Sequence, residues 1–306
     1  MTGAPTSAVP ARPCLVCRGP GPFDPLYGRA GYTLVRCRVC GLVFQHPQPD
    51  ERTLAEAYYH DPRFTEALFG PLRGWTLQQA EAKLPALEAA AGPLVPGRAL
   101  DVGCSSGAWL EVSTAHGWRA TGVEPGVHTA RAARERGLDV REGTLADVAG
   151  RLGKERFDLI TFWDVLEHVR DPGLELELAA GLLAPGGVLA ASMPNIEGLY
   201  PRLTYRLLTG PTGAWEHPEL PVHLYDFSPA TISQLLVRSG YRVLGVSTSA
   251  IPFSFYRRTS LSDEMLGFGR RARLVRAAFG ALALVAYPLA RARDRGNQMV
   301  VAARVG

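Results

Sequence analysis

Ala99-Leu-Asp-Val-Gly-Cys-Ser-Ser-Gly-Ala-Trp-Leu110 is an apolar run that breaks into a glycine-bounded turn and then resumes with helical spacing. Leu100 and Val102 suit a buried parallel strand, Gly103 and Gly107 permit a tight turn, and Ser105 or Ser106 is placed to cap the next helix. Strand, turn and helix in that order open a nucleotide-binding α/β domain, where a ligand can approach the main chain.

The glycine spacing chooses among ligands. A dinucleotide site uses G-x-G-x-x-G, whose middle glycine lets the backbone meet a pyrophosphate. Here the pattern is Gly103-x-x-x-Gly107, with Asp101 ahead of it and Ser105 in between. A carboxylate at that point suits a cationic ligand rather than a phosphate. Glu124 closes a second apolar segment, Ala120 to Val123, and is placed to accept from both ribose hydroxyls. The two acids describe a nucleoside with a positively charged, amino-acid-like tail.

Five segments follow one another in order: Leu100-Asp-Val-Gly-Cys-Ser-Ser-Gly107, Gly122-Val-Glu-Pro125, Phe157-Asp-Leu-Ile160, Trp163-Asp-Val-Leu-Glu-His168 and Leu183-Ala-Pro-Gly-Gly-Val-Leu189. In them the chain resembles the class I S-adenosylmethionine-dependent methyltransferases. The Ser-Ser pair departs from that family, which usually has Gly near position 105.

The resemblance implies an α/β, Rossmann-like seven-stranded sheet whose last strand is antiparallel and inserted between the fifth and sixth. It also implies S-adenosyl-L-methionine as cofactor. Asp101, Gly103 and Gly107 would shape the methionine and ribose pocket, Glu124 would hold the ribose, and Leu145 would meet the adenine. Trp163 and Asp164, after the fourth strand, would border the sulfonium and the acceptor. Strands are expected at 98–103, 119–124, 138–142, 157–162, 187–192, 241–249 and 297–304.

Two histidines are candidate general bases. His168 follows Glu167 at the start of a helix, where a polar pair serves equally as a cap. His223 lies in Pro221-Val-His-Leu-Tyr-Asp-Phe-Ser-Pro229, just before a helix at 231–239 that Ser228 caps and Pro229 opens. Similar methyltransferases of sugars and quinone precursors often carry a His-x-x-x-Phe-Ser segment beside the active site, which implies His168 or His223 as the base. Trp215 and His217 either line the acceptor pocket or sit on a surface loop that orders with substrate. Cys104, beside the glycine turn, reads as a small packing residue.

Ahead of this domain stand Cys14-Leu-Val-Cys17 and Cys37-Arg-Val-Cys40. Two C-x-x-C pairs at this spacing fit a closed, four-thiolate structural zinc site, a ribbon in which two turns supply two ligands each. A module this small has little core, so Zn2+ would supply much of its folding free energy, on the order of 10 kcal/mol. Tyr32 to Arg36 and Leu42 to Phe44 read as its strands, and His46 as a loop residue.

The expected organisation is a disordered lead-in (1–13), the ribbon (14–50), a helical linker or lid (51–96) and the methyltransferase domain (97–306). Within the linker, Asp50 to Tyr59 and Leu77 to Ala91 carry helical patterns, the second interrupted by Pro85. Tyr58, Tyr59, Phe64, Phe69 and Trp75 are dense there, either as core between the domains or as a lid over substrate.

With 46% hydrophobic and 20% charged residues the composition is that of a globular protein, and a net charge of +4 is too small to indicate a nucleic-acid binder. The charge is uneven: ten arginines and three acids between Arg257 and Gly306 give +7, leaving −3 on residues 1–256. Within that basic end, Ala277 to Ala290 carries no charge but is too short to span a bilayer. Arg270, Arg271, Arg273 and Arg276 precede it and Arg291, Arg293 and Arg295 follow it. The insertion at 257–295 therefore fits either a buried or dimer-forming helix or one lying on an anionic membrane surface (270–295).

Met1 to Pro13 has no apolar signal core, so a cytoplasmic location is expected. The methyl acceptor is expected to be a small molecule methylated at oxygen or carbon, a sugar, glycolipid, polysaccharide precursor or secondary metabolite by the company such ribbons keep. RNA methylation and non-catalytic binding of S-adenosylmethionine are the alternatives; five arginines against two acids in residues 1–50, with no basic run, argue against RNA.

Overall fold

Three short strands follow the first cysteine pair: β1 (Phe23–Arg29), β2 (Tyr32–Cys37) and β3 (Val43–Gln45). The seven-stranded sheet is made of β4 (Arg98–Val102), β5 (Arg119–Glu124), β6 (Val140–Glu142), β7 (Phe157–Trp163), β8 (Leu183–Pro194), β10 (Tyr241–Ser249) and β11 (Gln298–Val305). The computed structural model describes residues 13–29, 31–50, 52–54, 69–215, 217, 219–250 and 272–306, with backbone alone at 272–274 and 276.

The large sheet runs in the order β10-β11-β8-β7-β4-β5-β6, and β11 is antiparallel to both its neighbours. Period-two alternation feeds two helix layers. Leu100, Val102, Ile160 and Phe162 face one core, shared with α4 (Leu145–Leu152), α5 (Pro172–Leu182) and α7 (Pro229–Arg238). Ala99, Leu159 and Trp163 face the other, against α1 (Arg73–Ala91) and α2 (Ala108–Ala115). α3 (Val127–Glu135) covers the β5–β6 edge.

A local signal starts α7 where expected, whereas α5 begins only at Pro172, capped by Asp171, so Glu167 and His168 lie in the turn before it and not at a helix start. Ser228 and Thr231 form a capping box at α7, with Pro229 as its first residue, and Thr144 and Asp147 form another at α4. Pro85, by contrast, does not interrupt α1, which runs unbroken from Arg73 to Ala91. The proline is on the solvent side, where water can satisfy the carbonyl it frees, while Ala80, Leu87 and Ala90 hold the helix down.

The first pair of strands belongs to a sheet that the ribbon does not complete alone. Its order is β1-β2-β3-β9, and β9 (Tyr225–Asp226) comes from the segment of the large domain just before α7. Val43 pairs with Asp226 and Phe44 with Tyr225, and the Gln45 N–H donates to the Leu224 carbonyl at 2.9 Å. Cys14, Val16, Leu42 and Phe44 accordingly share one core with Leu224, Phe227 and the large sheet.

Of the linker, 52–54 is helical, with the Asp50 carboxylate accepting the Thr53 N–H at 2.7 Å. Tyr58, Tyr59, Phe64 and the lead-in through residue 12 lie outside the described residues, as do Arg270 and Arg271. The remaining helices are α6 (Leu199–Thr212) and α8 (Ala272–Ala292).

Candidate functional site

The turn after β4 can be built only with its two glycines. Gly103 (φ 73°) and Gly107 (φ 77°) are left-handed, and a Cβ on them would lie 2.6 Å from Val165 Cγ2 and 2.2 Å from Leu138 Cδ1. Gly107 itself is the N-cap of α2, with no side-chain cap, which corrects the expectation for Ser105 and Ser106. Ser105 has another use: at φ 49° its N–H is aimed at Glu124 Oε2, 2.9 Å away, while the Gly126 N–H meets Oε1 at 2.8 Å. Glu124 thus fastens the turns after β4 and β5 together, and each oxygen keeps a second lone pair for a ligand hydroxyl. Burial raises its pKa against the pull of those two N–H groups.

Asp101 is buried one strand away, where the Thr161 hydroxyl donates to Oδ1 at 2.7 Å. Burial lifts its carboxyl to about 7, although the Thr161 bond and the Lys83 charge favour the anion. Cys104 Sγ fills the space a side chain on Gly122 would need, only 2.5 Å from that position, and burial pushes the thiol up, so it is inert packing. Leu145 is 1% exposed and packs in the core at the start of α4, so contact with adenine would require that loop to shift.

At the end of β7, Trp163 packs edge-on against Trp109, ring centroids 4.9 Å apart, with the Lys83 ammonium 5.0 Å from its ring. Asp164, left-handed at φ 57°, is already engaged: Lys83 Nζ lies 3.2 Å from Oδ2, and Gln298 Nε2 donates to Oδ1. Lys83 from α1 and Gln298 from β11 were not legible in the sequence as site residues. Trp163 and Asp164 therefore form a braced corner rather than a free binding group.

Next comes a second cluster, drawn from distant segments. The Glu167 carbonyl accepts from the N–H groups of Leu224 (2.8 Å) and Tyr225 (3.3 Å), His168 Nδ1 sits 3.0 Å from the Val222 carbonyl, and the Tyr225 hydroxyl donates to the Arg170 carbonyl at 3.0 Å. These bonds bring the His168 and His223 rings to a centroid distance of 4.6 Å. A carboxylate oxygen of Glu167 and a nitrogen of each ring lie within 4.8 Å of one another. Both Glu167 oxygens and His223 Nδ1 are buried with no hydrogen-bond partner among the described residues. Burial holds both imidazoles near pKa 4 and raises the Glu167 carboxyl well above its ordinary value.

Trp215 and His217 are buried, contrary to the surface-loop expectation. The Trp215 indole N–H donates to the Pro201 carbonyl at 2.9 Å, and its ring lies between Tyr27 of the ribbon and Tyr205 of α6. His217 Nε2 is 3.1 Å from Asp226 Oδ1, with both side chains almost fully enclosed. The sequence did carry a hint of this pair: an acid inside Leu224-Tyr-Asp-Phe227 would be buried and so would need a partner.

In the ribbon the two C-x-x-C segments fold alike. The Arg18 N–H reaches the Cys14 carbonyl at 2.7 Å and the Gly41 N–H the Cys37 carbonyl at 2.9 Å; Cys14 and Cys37 in turn donate to Gly19 and Leu42, each at 2.9 Å. Cys14 and Cys40 sulfurs are 3.4 Å apart, those of Cys17 and Cys37 3.6 Å, and all four fall within 4.8 Å. Tetrahedral zinc with bonds of about 2.3 Å needs sulfurs about 3.8 Å apart. The four thiols fit that ion, and His46 stands aside against Phe23 and Phe44.

With this geometry in place, a family described as a methyltransferase domain matches residues 75–246, more than half of the chain. The chain belongs to this methyltransferase family. A ubiquinone biosynthesis O-methyltransferase of Nitrobacter winogradskyi is 39% identical over 104 residues, 32% of this chain and 39% of that one. One of the same name from Caulobacter vibrioides is 34% identical over 139 residues, covering 42% and 53%. The chain thus spans about two fifths to half of the length of these curated relatives. A SAM-dependent methyltransferase structure from Thermotoga maritima aligns with a TM-score of 0.51 at 17% identity over 83% of this chain and 99% of that one, a likeness of fold.

Proposed function

We propose that the chain transfers a methyl group from S-adenosyl-L-methionine to a hydroxyl oxygen of a small molecule. The donor supplies an electrophilic methyl on a sulfonium. Asp101 faces its cationic tail, Glu124 its ribose hydroxyls, and the Gly103–Gly107 turn lets it approach the main chain. The observation that carries the acceptor side is the pairing of half-buried His168 with buried His223 beside a Glu167 carboxyl that has no hydrogen-bond partner among the described residues. Burial keeps both imidazoles neutral at pH 7, the form that accepts a proton as the oxygen attacks in line, while leaving them weaker bases than a free imidazole.

The curated relatives are named for O-methylation in ubiquinone biosynthesis, and their names favour a hydroxylated ring over the sugar or glycolipid expected from the ribbon. We therefore place a catechol-like acceptor first. Cys14, Cys17, Cys37 and Cys40 would hold a structural Zn2+ that fixes the ribbon and, through β3 and β9, the segment carrying His223.

The test is turnover with a catechol carboxylate and with a panel of sugars, in wild type and in His168→Ala/His223→Ala. The double variant should keep donor affinity and lose about 100- to 10,000-fold in turnover. Undiminished turnover would remove the histidines from the chemistry. Loss of wild-type turnover on chelation, with the ribbon metal retained, would give the cluster to a divalent cation instead of a proton. Methylation of sugars alone would overturn the acceptor class.

A further inference from the structure

Helix α8 has no charged residue from Ala277 to Ala290, and among the described residues its packing uses one side of that apolar surface. Val275, Phe279, Ala283, Ala286 and Ala290 are buried, most of them in one cluster with Tyr200 of α6, whose hydroxyl donates to the Phe279 carbonyl at 3.1 Å. At about 100° per residue, Ala281, Leu284, Val285, Pro288 and Leu289 occupy the opposite arc, roughly 140° wide. Leu284 is 79% exposed, Val285 61% and Leu289 41%. Single exposed leucines are ordinary; an outer face of three turns with no polar group is not. Beyond its C-terminal end stand Arg291, Arg293 and Arg295, all exposed, while Asp294 is occupied by the Thr248 hydroxyl at 2.7 Å.

We propose that this outer face docks on an anionic lipid surface, with Leu284, Val285 and Leu289 below the headgroups and Arg291, Arg293 and Arg295 on the phosphates. Charge complementarity selects that occupant over a second copy of the chain. Helix α8 contains no Asp or Glu, so a copy packed along the same face would bring arginines toward arginines without an acid to receive them. No described helix is long and apolar enough to cross a membrane, so α8 lies in the plane of the interface. The inference is independent of the acceptor assigned above.

Flotation of the full chain with vesicles of phosphatidylglycerol and phosphatidylcholine in equal parts, and with phosphatidylcholine alone, decides it. Retention is expected on the anionic vesicles only, and it should weaken with added salt. Leu284→Glu/Val285→Glu, and separately Arg291→Gln/Arg293→Gln/Arg295→Gln, should each lower partitioning about a hundredfold while S-adenosylhomocysteine affinity stays unchanged. In Leu284→Trp the added indole should shift its emission to the blue on anionic vesicles. Wild-type protein that leaves both vesicles unbound overturns the proposal. So does a solution dimer that Leu284→Glu/Val285→Glu splits without any lipid retention, which would assign the face to a second copy.

Discussion

The donor half and the acceptor half of the proposed site are built in opposite ways. The proposed donor side is one short turn and one strand end: Asp101, Gly103, Ser105, Gly107 and Glu124 lie within 24 residues, and the Ser105–Glu124 bond ties the two turns together. On the acceptor side Glu167 and His168 are held by main-chain bonds to 222–225, which is held in turn by β3 of the ribbon. A local site carries its own geometry, whereas an assembled one borrows it from whatever fastens the pieces. The ribbon is therefore expected to matter to acceptor chemistry and hardly at all to donor binding.

The sharpest way to break that contrast is to dissolve the ribbon. Cys14→Ser/Cys40→Ser removes two of the four thiols and, with them, the proposed metal binding, which in zinc-finger modules supplies on the order of 10 kcal/mol. Turnover should fall below detection, while calorimetry should return an S-adenosylhomocysteine affinity within about threefold of wild type, as expected where the glycine turn keeps its own geometry despite the core it shares with the ribbon. Donor affinity lost together with turnover would show that the halves fold as one unit and that the shared core outweighs the local turn.

A smaller effect is expected from the donor side. Glu124→Ala removes the carboxylate that ties Ser105 to Gly126 and its remaining lone pairs; at about 1.5–3 kcal/mol for charge-assisted bonds, donor affinity should drop ten- to a hundredfold. The thermal midpoint of the ribbon variant and that of Glu124→Ala should then be independent. If Glu124→Ala also displaces the histidine pair, seen as changed imidazole NMR shifts, the division into halves is wrong.

The same contrast explains what could be read from the sequence. Strands 119–124 and 241–249 have the expected bounds, and the first of the five ordered motifs placed the glycine turn, because apolar alternation and glycine spacing are local properties. Lys83 beside Asp164 and β3 beside β9 join residues far apart in the chain, and no spacing rule encodes such meetings. Pro85 shows the converse failure: its local meaning is clear, yet tertiary burial of Leu87 and Ala90 overrides it.

The finest test of the donor half is its pH dependence. Asp101 has a pKa raised to about 7 by burial, above the unperturbed 3.8 of a free carboxyl. Between those values the folded protein holds a proton that the unfolded chain does not, so this group stabilises the fold at low pH and loses that contribution as pH rises toward 7. A cationic donor reverses the preference, since it favours the carboxylate. Below pH 7 binding must therefore expel a proton, and affinity should weaken about tenfold for each unit of acidification while remaining nearly flat just above 7. Calorimetry in two buffers of different ionisation enthalpy counts the proton directly. Asp101→Asn should bind more weakly and lose the slope. A flat wild-type profile would mean that Asp101 is already ionised before the donor arrives, with Lys83 and Thr161 outweighing its burial.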